Sequence, residues 1–169
     1  MDRRNFLAEV VTLTGGFAFG SKAFAATPEQ GVYKFRSVVC VADVVNSNKR
    51  VYPRAVLEQQ VEKLKTACQS RALIGELGMS GDTIVHFTNA SHIVTDLQLE
   101  GNDLVTEIEL INTPAGNLLR SMMKNPNDIA FRTSGVGNGR VDENGILHID
   151  ESYRLISINA VPASDAAQF

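Results

Sequence analysis

Apolar residues recur along this chain at two different periods, which predict helices and strands. A stripe at i, i+4, i+7 and i+11 lies within residues 57–68, as on one face of a helix. Farther along, Thr113 supplies a helix cap and Pro114 follows it in the first turn. The sequence therefore predicts two main helices, near residues 53–69 and 114–124.

Strand-like segments surround these helices, with alternating or short apolar runs bounded by turn residues. The clearest is a hairpin, in which residues 91–99 and 104–110 flank a turn at residues 100–103. Further strands are predicted at residues 35–45, 72–77, 84–87, 129–136, 146–149 and 153–161. These elements predict an α+β fold, a mostly antiparallel β barrel or sandwich with two main helices.

The chain divides into a predicted N-terminal segment, residues 1–33, and a predicted domain, residues 34–169. A chain of 169 residues is long enough for one domain with its own core. The polar sequence of residues 27–33 predicts a link between the two parts.

The N-terminal segment has two interpretations. The sequence RRNFL at residues 3–7 matches a twin-arginine export signal, with a weakly apolar stretch and an Ala-Phe-Ala sequence at residues 23–25 after it. Glu9 interrupts the apolar stretch, which favours an N-terminal arm that packs on a neighbouring subunit. The residues alone leave the two interpretations open.

Composition excludes some classes of protein. Hydrophobic residues make up 44% and charged residues 21%, as in ordinary globular domains. The net charge of -3 gives no general attraction to nucleic acid, and no run of 18 apolar residues predicts a membrane helix. Cys40 and Cys68 are too few for a disulfide scaffold and lie in apolar runs, so buried thiols are predicted. We therefore expect neither nucleic acid nor a membrane as a partner.

No pattern predicts a metal or a cofactor. The three histidines, His86, His92 and His148, match no spacing of metal ligands. The glycines at residues 135–139 lack the spacing of a dinucleotide-binding loop, and no helix follows them, so a turn is predicted.

Five phrases between residues 48 and 156 carry a family resemblance through their order and spacing. They are NKRVYP at residues 48–53, GEL at 75–77, SHIV at 91–94, LINTPAGNLL at 110–119 and YRLI at 153–156. In this respect the chain resembles the prohead proteases of tailed phages, especially those of myoviruses, from about Ser37 to its end. The resemblance implies the fold that these enzymes share with herpesvirus assembly proteases, and a role in the assembly of a shell.

The resemblance also implies where catalytic residues would stand, and this chain departs from the family there. The histidine of the family phrase G-E-L-D-H-P falls on Met79, whose thioether cannot take a proton from a hydroxyl. The serines of S-S-R-G fall on Arg132 and Thr133, and Asn159 stands where an aspartate often follows. The resemblance thus implies a serine protease fold without its catalytic histidine and serine.

An active site would have to use neighbouring residues. The first candidate pair is Ser134 with His86, which lies on the predicted strand 84–87. Ser134 is one residue out of register, so this pair requires a local bulge. Thr133 is the other candidate nucleophile, and His92 matches an additional family histidine with a predicted structural role.

These observations predict a phage virion structural or head-assembly protein that has lost catalysis. Its predicted partners are copies of itself and capsid, portal or tail proteins, and its predicted location is the virion, after assembly in the host cytoplasm. One alternative is an active serine endopeptidase that processes scaffold and capsid proteins during head maturation. Another, from the N-terminal signal, is an exported periplasmic protein.

Overall fold

The computed structural model describes residues 11–15, 24–29 and 32–166. Their strands form three sheets, and most neighbouring strands are antiparallel. The strands are β1 (Val11–Gly15), β2 (Phe24–Glu29), β3 (Val32–Val41), β4 (Arg50–Val51), β5 (Ile74–Glu76), β6 (Ala90–Glu100), β7 (Asp103–Leu110), β8 (Ile129–Gly137), β9 (Gly139–Val141), β10 (Leu147–Ile149) and β11 (Arg154–Pro162). The predicted α+β class is confirmed.

The strands fall into one five-stranded and two three-stranded sheets. Their orders are β2-β3-β7-β6-β5, β1-β8-β11 and β4-β10-β9, and β4 and β10 form the parallel pair. The described strands do not close into a barrel. The five-stranded sheet and the β1-β8-β11 sheet, which we call the two larger sheets because they contain the longest strands, pack as in a sandwich. A single parallel bridge from Leu77 to Ala160 extends β5 toward β11 and links these two sheets.

Aromatic rings fill the space between the two larger sheets. Phe35 on β3 contacts Phe131 on β8, with ring centroids 5.1 Å apart, and His92 on β6 meets the same Phe131 ring at 5.3 Å. Both cysteines are buried, as predicted, and burial raises the pKa of Cys40 to about 12 and that of Cys68 to about 11. These thiols are therefore part of the core.

The helices are α1 (Arg54–Gln69), α2 (Pro114–Met122) and the short α3 (Ala163–Ala166). The predicted apolar stripe of α1 packs on the core, and Gln60 on the same helix accepts a hydrogen bond from the backbone of Leu155 at 3.0 Å. At α2, the Thr113 hydroxyl accepts the hydrogen bond of the Gly116 amide at 3.0 Å. Both predicted main helices and the cap are confirmed.

Three local predictions need correction or fall outside the described part. Residues 84–87 form no strand: Ile84 and Phe87 are 63% and 77% exposed in a loop that ends in a 3-10 turn, Phe87–Asn89. Of the predicted link, residues 27–29 belong to β2 and residues 32–33 to β3, and these two strands pair with each other. The RRNFL sequence at residues 3–7 lies outside the described residues. Among the described helices, none is long and apolar enough to cross a membrane.

Candidate functional site

The two faces of β8 separate the core from the candidate site. Side chains alternate along a strand, and Phe131 points inward against the core rings. Thr133, two residues later, therefore shares the inner face, and it is buried there. Arg132 and Ser134 lie on the opposite, outer face of the strand.

Asn159 on β11 places the candidate site on this outer face. It is the register partner of Arg132, so the two residues stand side by side on the same side of the sheet. The Asn159 amide nitrogen donates to the Met79 sulfur at 3.6 Å, and Met79 also packs against Ala130 and Val161. We call Met79, Arg132, Ser134 and Asn159 together the outer site.

Glu76 holds the loop that carries Met79. One oxygen of its buried carboxylate accepts the His86 amide at 2.6 Å, and the other accepts the Ser80 hydroxyl at 3.5 Å. Its own amide donates to Oδ1 of Asn159 at 3.0 Å. The Glu76 carboxylate therefore fastens the loop at Ser80 and His86, and the Glu76 backbone amide ties this residue to β11.

His86 lies in this loop, not on a strand, and its ring is turned to a carboxylate. Nε2 of His86 lies 2.7 Å from Oδ2 of Asp82, and the histidine side chain is about one third exposed, at 36%. Within the described residues, no hydrogen bond joins His86 to Ser134. The sequence-predicted catalytic pair is therefore not assembled in this structure.

A groove opens beside the outer site. Its volume is about 400 Å³, and it is lined by Thr83 of the loop, Val136 of β8, and Arg154, Leu155 and Ile156 of β11. The register of β11 shifts between Leu155 and Ser157, which places Ser157 opposite Ser134. Val136 is two residues from Ser134 on the same face, so the groove continues the outer face.

A second serine and histidine are adjacent in space but are sealed in the core. Ser91 and His92 are both fully buried, and the Ser91 hydroxyl lies 2.9 Å from Nδ1 of His92. Nε2 lies 2.8 Å from the Ile158 carbonyl, which can only accept, so Nε2 carries the hydrogen and Nδ1 accepts from Ser91. Burial lowers the pKa of His92 to about 4. This neutral pair has no access for a substrate.

The inner position of His92 also depends on the absence of a side chain at Gly75. A Cβ atom there would lie 2.0 Å from Nε2 of His92 and 2.2 Å from the Ile158 carbonyl oxygen. The glycine of the GEL phrase thus lets β5 approach His92 and β11 closely. The interaction joins the two larger sheets directly beneath the outer site.

The bulge invoked for Ser134 is not needed to bring it to the outer face. Ser134 is two residues from Arg132, so regular alternation already places both on the side of Met79 and Asn159. Thr133 is the residue that faces away, toward the core. The role of Glu76 was not predicted from the sequence, although a charged residue inside the apolar run at residues 72–77 was a signal for it.

The described part of the chain holds no group of three or more histidine, cysteine or acidic residues arranged for a metal ion. His148 is exposed on the short strand β10, where its Nε2 is 3.0 Å from Oδ2 of Asp142. The hydrogen bond from His148 lowers the pKa of the Asp142 carboxyl. The three histidines therefore lie apart, in the loop at residues 77–86, in the core and on β10.

Comparisons with known proteins agree on one family. The family model described as prohead core protein serine protease matches residues 22–167. The prohead core protein protease of Enterobacteria phage T4 is 25% identical over 135 residues, which cover 78% of this chain and 63% of that protein. The chain therefore spans less than two thirds of this relative.

A solved structure has the same fold. The capsid assembly protease gp21 of bacteriophage T4 superimposes with a TM-score of 0.79 at 22% sequence identity. The match covers 90% of this chain and 98% of the solved chain. At this level of identity the similarity shows the fold alone, and the possible reactions depend on the residues of the outer site.

Proposed function

Because this chain belongs to the prohead core protein serine protease family, we propose that it serves phage head assembly as a structural module that does not cut peptide bonds. A serine hydroxyl at neutral pH becomes a nucleophile when a base lies within about 3 Å to take its proton. The outer site supplies no such base to Ser134. In this proposal the protein retains the family fold and a role in head assembly but has no peptidase activity.

The observation that carries this proposal is the contact between Met79 and Asn159. Met79, which the resemblance places at the family's histidine position, receives a hydrogen bond from Asn159. Arg132 on β8 is the register partner of the same Asn159. A thioether accepts a hydrogen bond weakly and binds no proton at neutral pH. Arg132 stays positively charged and cannot act as a nucleophile. These side chains support a site whose residues pack against one another and do not carry out catalysis.

The proposed partners follow from the family. We propose that the chain associates with capsid and scaffold proteins in the prohead, and with copies of itself, during assembly in the host cytoplasm. The portal and tail remain further proposed contacts, and the mature virion the proposed final location. The N-terminal arm, residues 1–33 in the sequence analysis, would belong to the assembled particle rather than to an export pathway.

One alternative has structural support. Ser134 lies on the outer face, and the Asp82–His86 pair resembles a base oriented by a carboxylate. A movement of the loop at residues 77–86 that brings His86 to Ser134 would create a serine endopeptidase acting on scaffold and capsid proteins.

A cleavage assay decides between these functions. The full chain is incubated with phage scaffold and capsid precursors, beside the variants Ser134→Ala and His86→Ala, and the products are followed by mass spectrometry. We expect no cleavage by any of the three proteins. If the wild type cuts a precursor and either alanine variant does not, the structural function is wrong and Ser134 with His86 is the catalytic pair.

The same samples test the location of the protein. Mass spectrometry of purified particles is expected to find a chain that begins at Met1 or Asp2. A mature chain that begins near Ala26 in a periplasmic fraction would instead support the exported protein.

A further inference from the structure

The edge of β8 beside the outer site is occupied by a strand from the N-terminal part of the chain. β1 pairs antiparallel with β8, and its five residues run without a break from Val11 opposite Gly137 to Gly15 opposite Thr133. β11 pairs with the other edge of β8 from Ile129 to Val136. β8 is therefore the central strand of its sheet only because β1 is present.

This edge coincides with the part of β8 on which the family motif falls. Thr14 is the register partner of Ser134, and Gly15 is the partner of Thr133. A strand edge without a neighbour exposes a row of amide and carbonyl groups, and such edges bind extended peptides by strand addition. β1 takes up the hydrogen-bonding groups that an incoming peptide would use.

We propose that the edge of β8 from Thr133 to Gly137 is a docking site for an extended peptide, and that residues 11–15 of the same chain fill it. The sequence VTLTG suits this role, because threonine and valine favour strands. The inference concerns docking and holds whether or not the outer site can cut a peptide.

The location of β1 gives the proposal its physical basis. In the described sheets, β1 stands at the end of the order β1-β8-β11, with β8 as its neighbour. Because β1 and β8 belong to one chain, the effective concentration of β1 at this edge is about millimolar or higher. A peptide added in solution must compete with this internal strand, so its apparent affinity is lowered by the fraction of molecules whose edge is open.

Two proline variants of the full chain test the internal strand against a matched control. In an antiparallel ladder, alternate residues direct their amides at the neighbouring strand. Of Thr12 and Leu13, one therefore donates to β8 and the other points away from it. The single variants Thr12→Pro and Leu13→Pro are therefore compared. At one position proline removes a hydrogen bond to β8, and at the other it replaces an amide that points away from β8, where proline is tolerated.

The probe is a fluorescein-labelled peptide with the sequence of residues 9–17, EVVTLTGGF, and a scrambled peptide is the negative control. We expect one proline variant to bind the probe at least tenfold more tightly than the wild type, and the other to differ less. Hydrogen exchange of the β8 amides at residues 133–137 should accelerate in the same variant. Equal probe affinity and equal exchange in the wild type and both variants would overturn the proposal.

A disulfide between the two strands gives an independent test that does not weaken the fold. Thr12 and Val136 are register partners, so Thr12→Cys with Val136→Cys places two thiols across the ladder. We expect the oxidised protein to bind the probe at least tenfold more weakly than the reduced protein, with each single cysteine variant unchanged by oxidation. Equal binding by the oxidised and reduced double variant would contradict docking at this edge.

Discussion

The two faces of β8 differ in what their side chains contact, although neighbouring residues supply them. On the inner face, Phe131 meets the rings of Phe35 and His92 in the core. On the outer face, Arg132 stands beside Asn159, which contacts Met79 in the loop. A single strand thus carries the packing of the domain on one side and the candidate site on the other.

This difference indicates which substitutions the fold tolerates. The inner face joins two sheets through the Ser91–His92–Ile158 hydrogen bonds, so its groups cannot change without leaving buried partners unsatisfied. The outer face meets a loop, where Met79 stands at the position that the sequence resemblance assigns to the family's histidine, and the strands still pair. We therefore expect the outer face to accept changes of side chain while the domain keeps its architecture.

The largest expected effect tests the inner face by His92→Ala. Removal of the imidazole leaves a cavity next to Gly75 and leaves the Ser91 hydroxyl without its acceptor. We expect the free energy of unfolding to fall by about 3–5 kcal/mol, measured by denaturant titration at pH 7. His148→Ala, at an exposed position of β10, is the matched control and should cost about 0.5 kcal/mol or less. Equal losses would show that His92 does not support the inner face.

The next effect is the pH dependence of stability that His92 confers. Its folded pKa of about 4 lies below the ordinary value of 6.5, so the unfolded chain binds a proton first as the pH falls. Stability is therefore fully present above about pH 6.5 and declines toward pH 4, by about 3 kcal/mol from this group.

Thermal unfolding between pH 7 and pH 4 measures this decline, with His92→Gln as the comparison. Glutamine has no ionisable group, so its profile should be flatter over this range. The lowered pKa of Glu109, which follows from its hydrogen bonds with Arg71, adds a loss of stability at lower pH in both proteins. Parallel profiles for the two proteins would refute the assignment to His92.

The smallest expected effect is a trace of restored chemistry on the outer face. Met79→His with Thr133→Ser would place both residue types at positions that the sequence resemblance assigns to the catalytic residues, but Thr133 faces the core. The structure favours Met79→His with Arg132→Ser, since both positions adjoin Asn159. We expect labelling by a serine-directed phosphonate at least tenfold above the wild-type rate for this second pair alone.

The Thr133→Ser pair is the matched control for that experiment, because it introduces the same two residue types one position apart. Single changes should do little, because the members of a catalytic set act as a unit. Equal labelling of the two double variants would mean that the faces of β8 are assigned wrongly.

Local patterns carried much of the fold prediction. The stripe of α1 and the hairpin of β6 and β7 depend on neighbours within a few residues, so their periodicity was sufficient. The strand predicted at residues 84–87 failed because an apolar run does not specify whether another strand is present to pair with it. Ile84 and Phe87 remain exposed in the loop.

The sequence by itself determined the chemical types at the positions that the resemblance assigns to the family's catalytic residues: a thioether at Met79, a permanent cation at Arg132 and a hydroxyl at Thr133. It could not tell which of the last two faces the site, because a difference of one residue reverses the side of a strand. Only the tertiary structure decided this, through the pairing of Arg132 with Asn159 and the contact of Asn159 with Met79. The physical reason is distance along the chain: Met79 and Asn159 are 80 residues apart, and the pairing of whole sheets, rather than any local preference, brings them together.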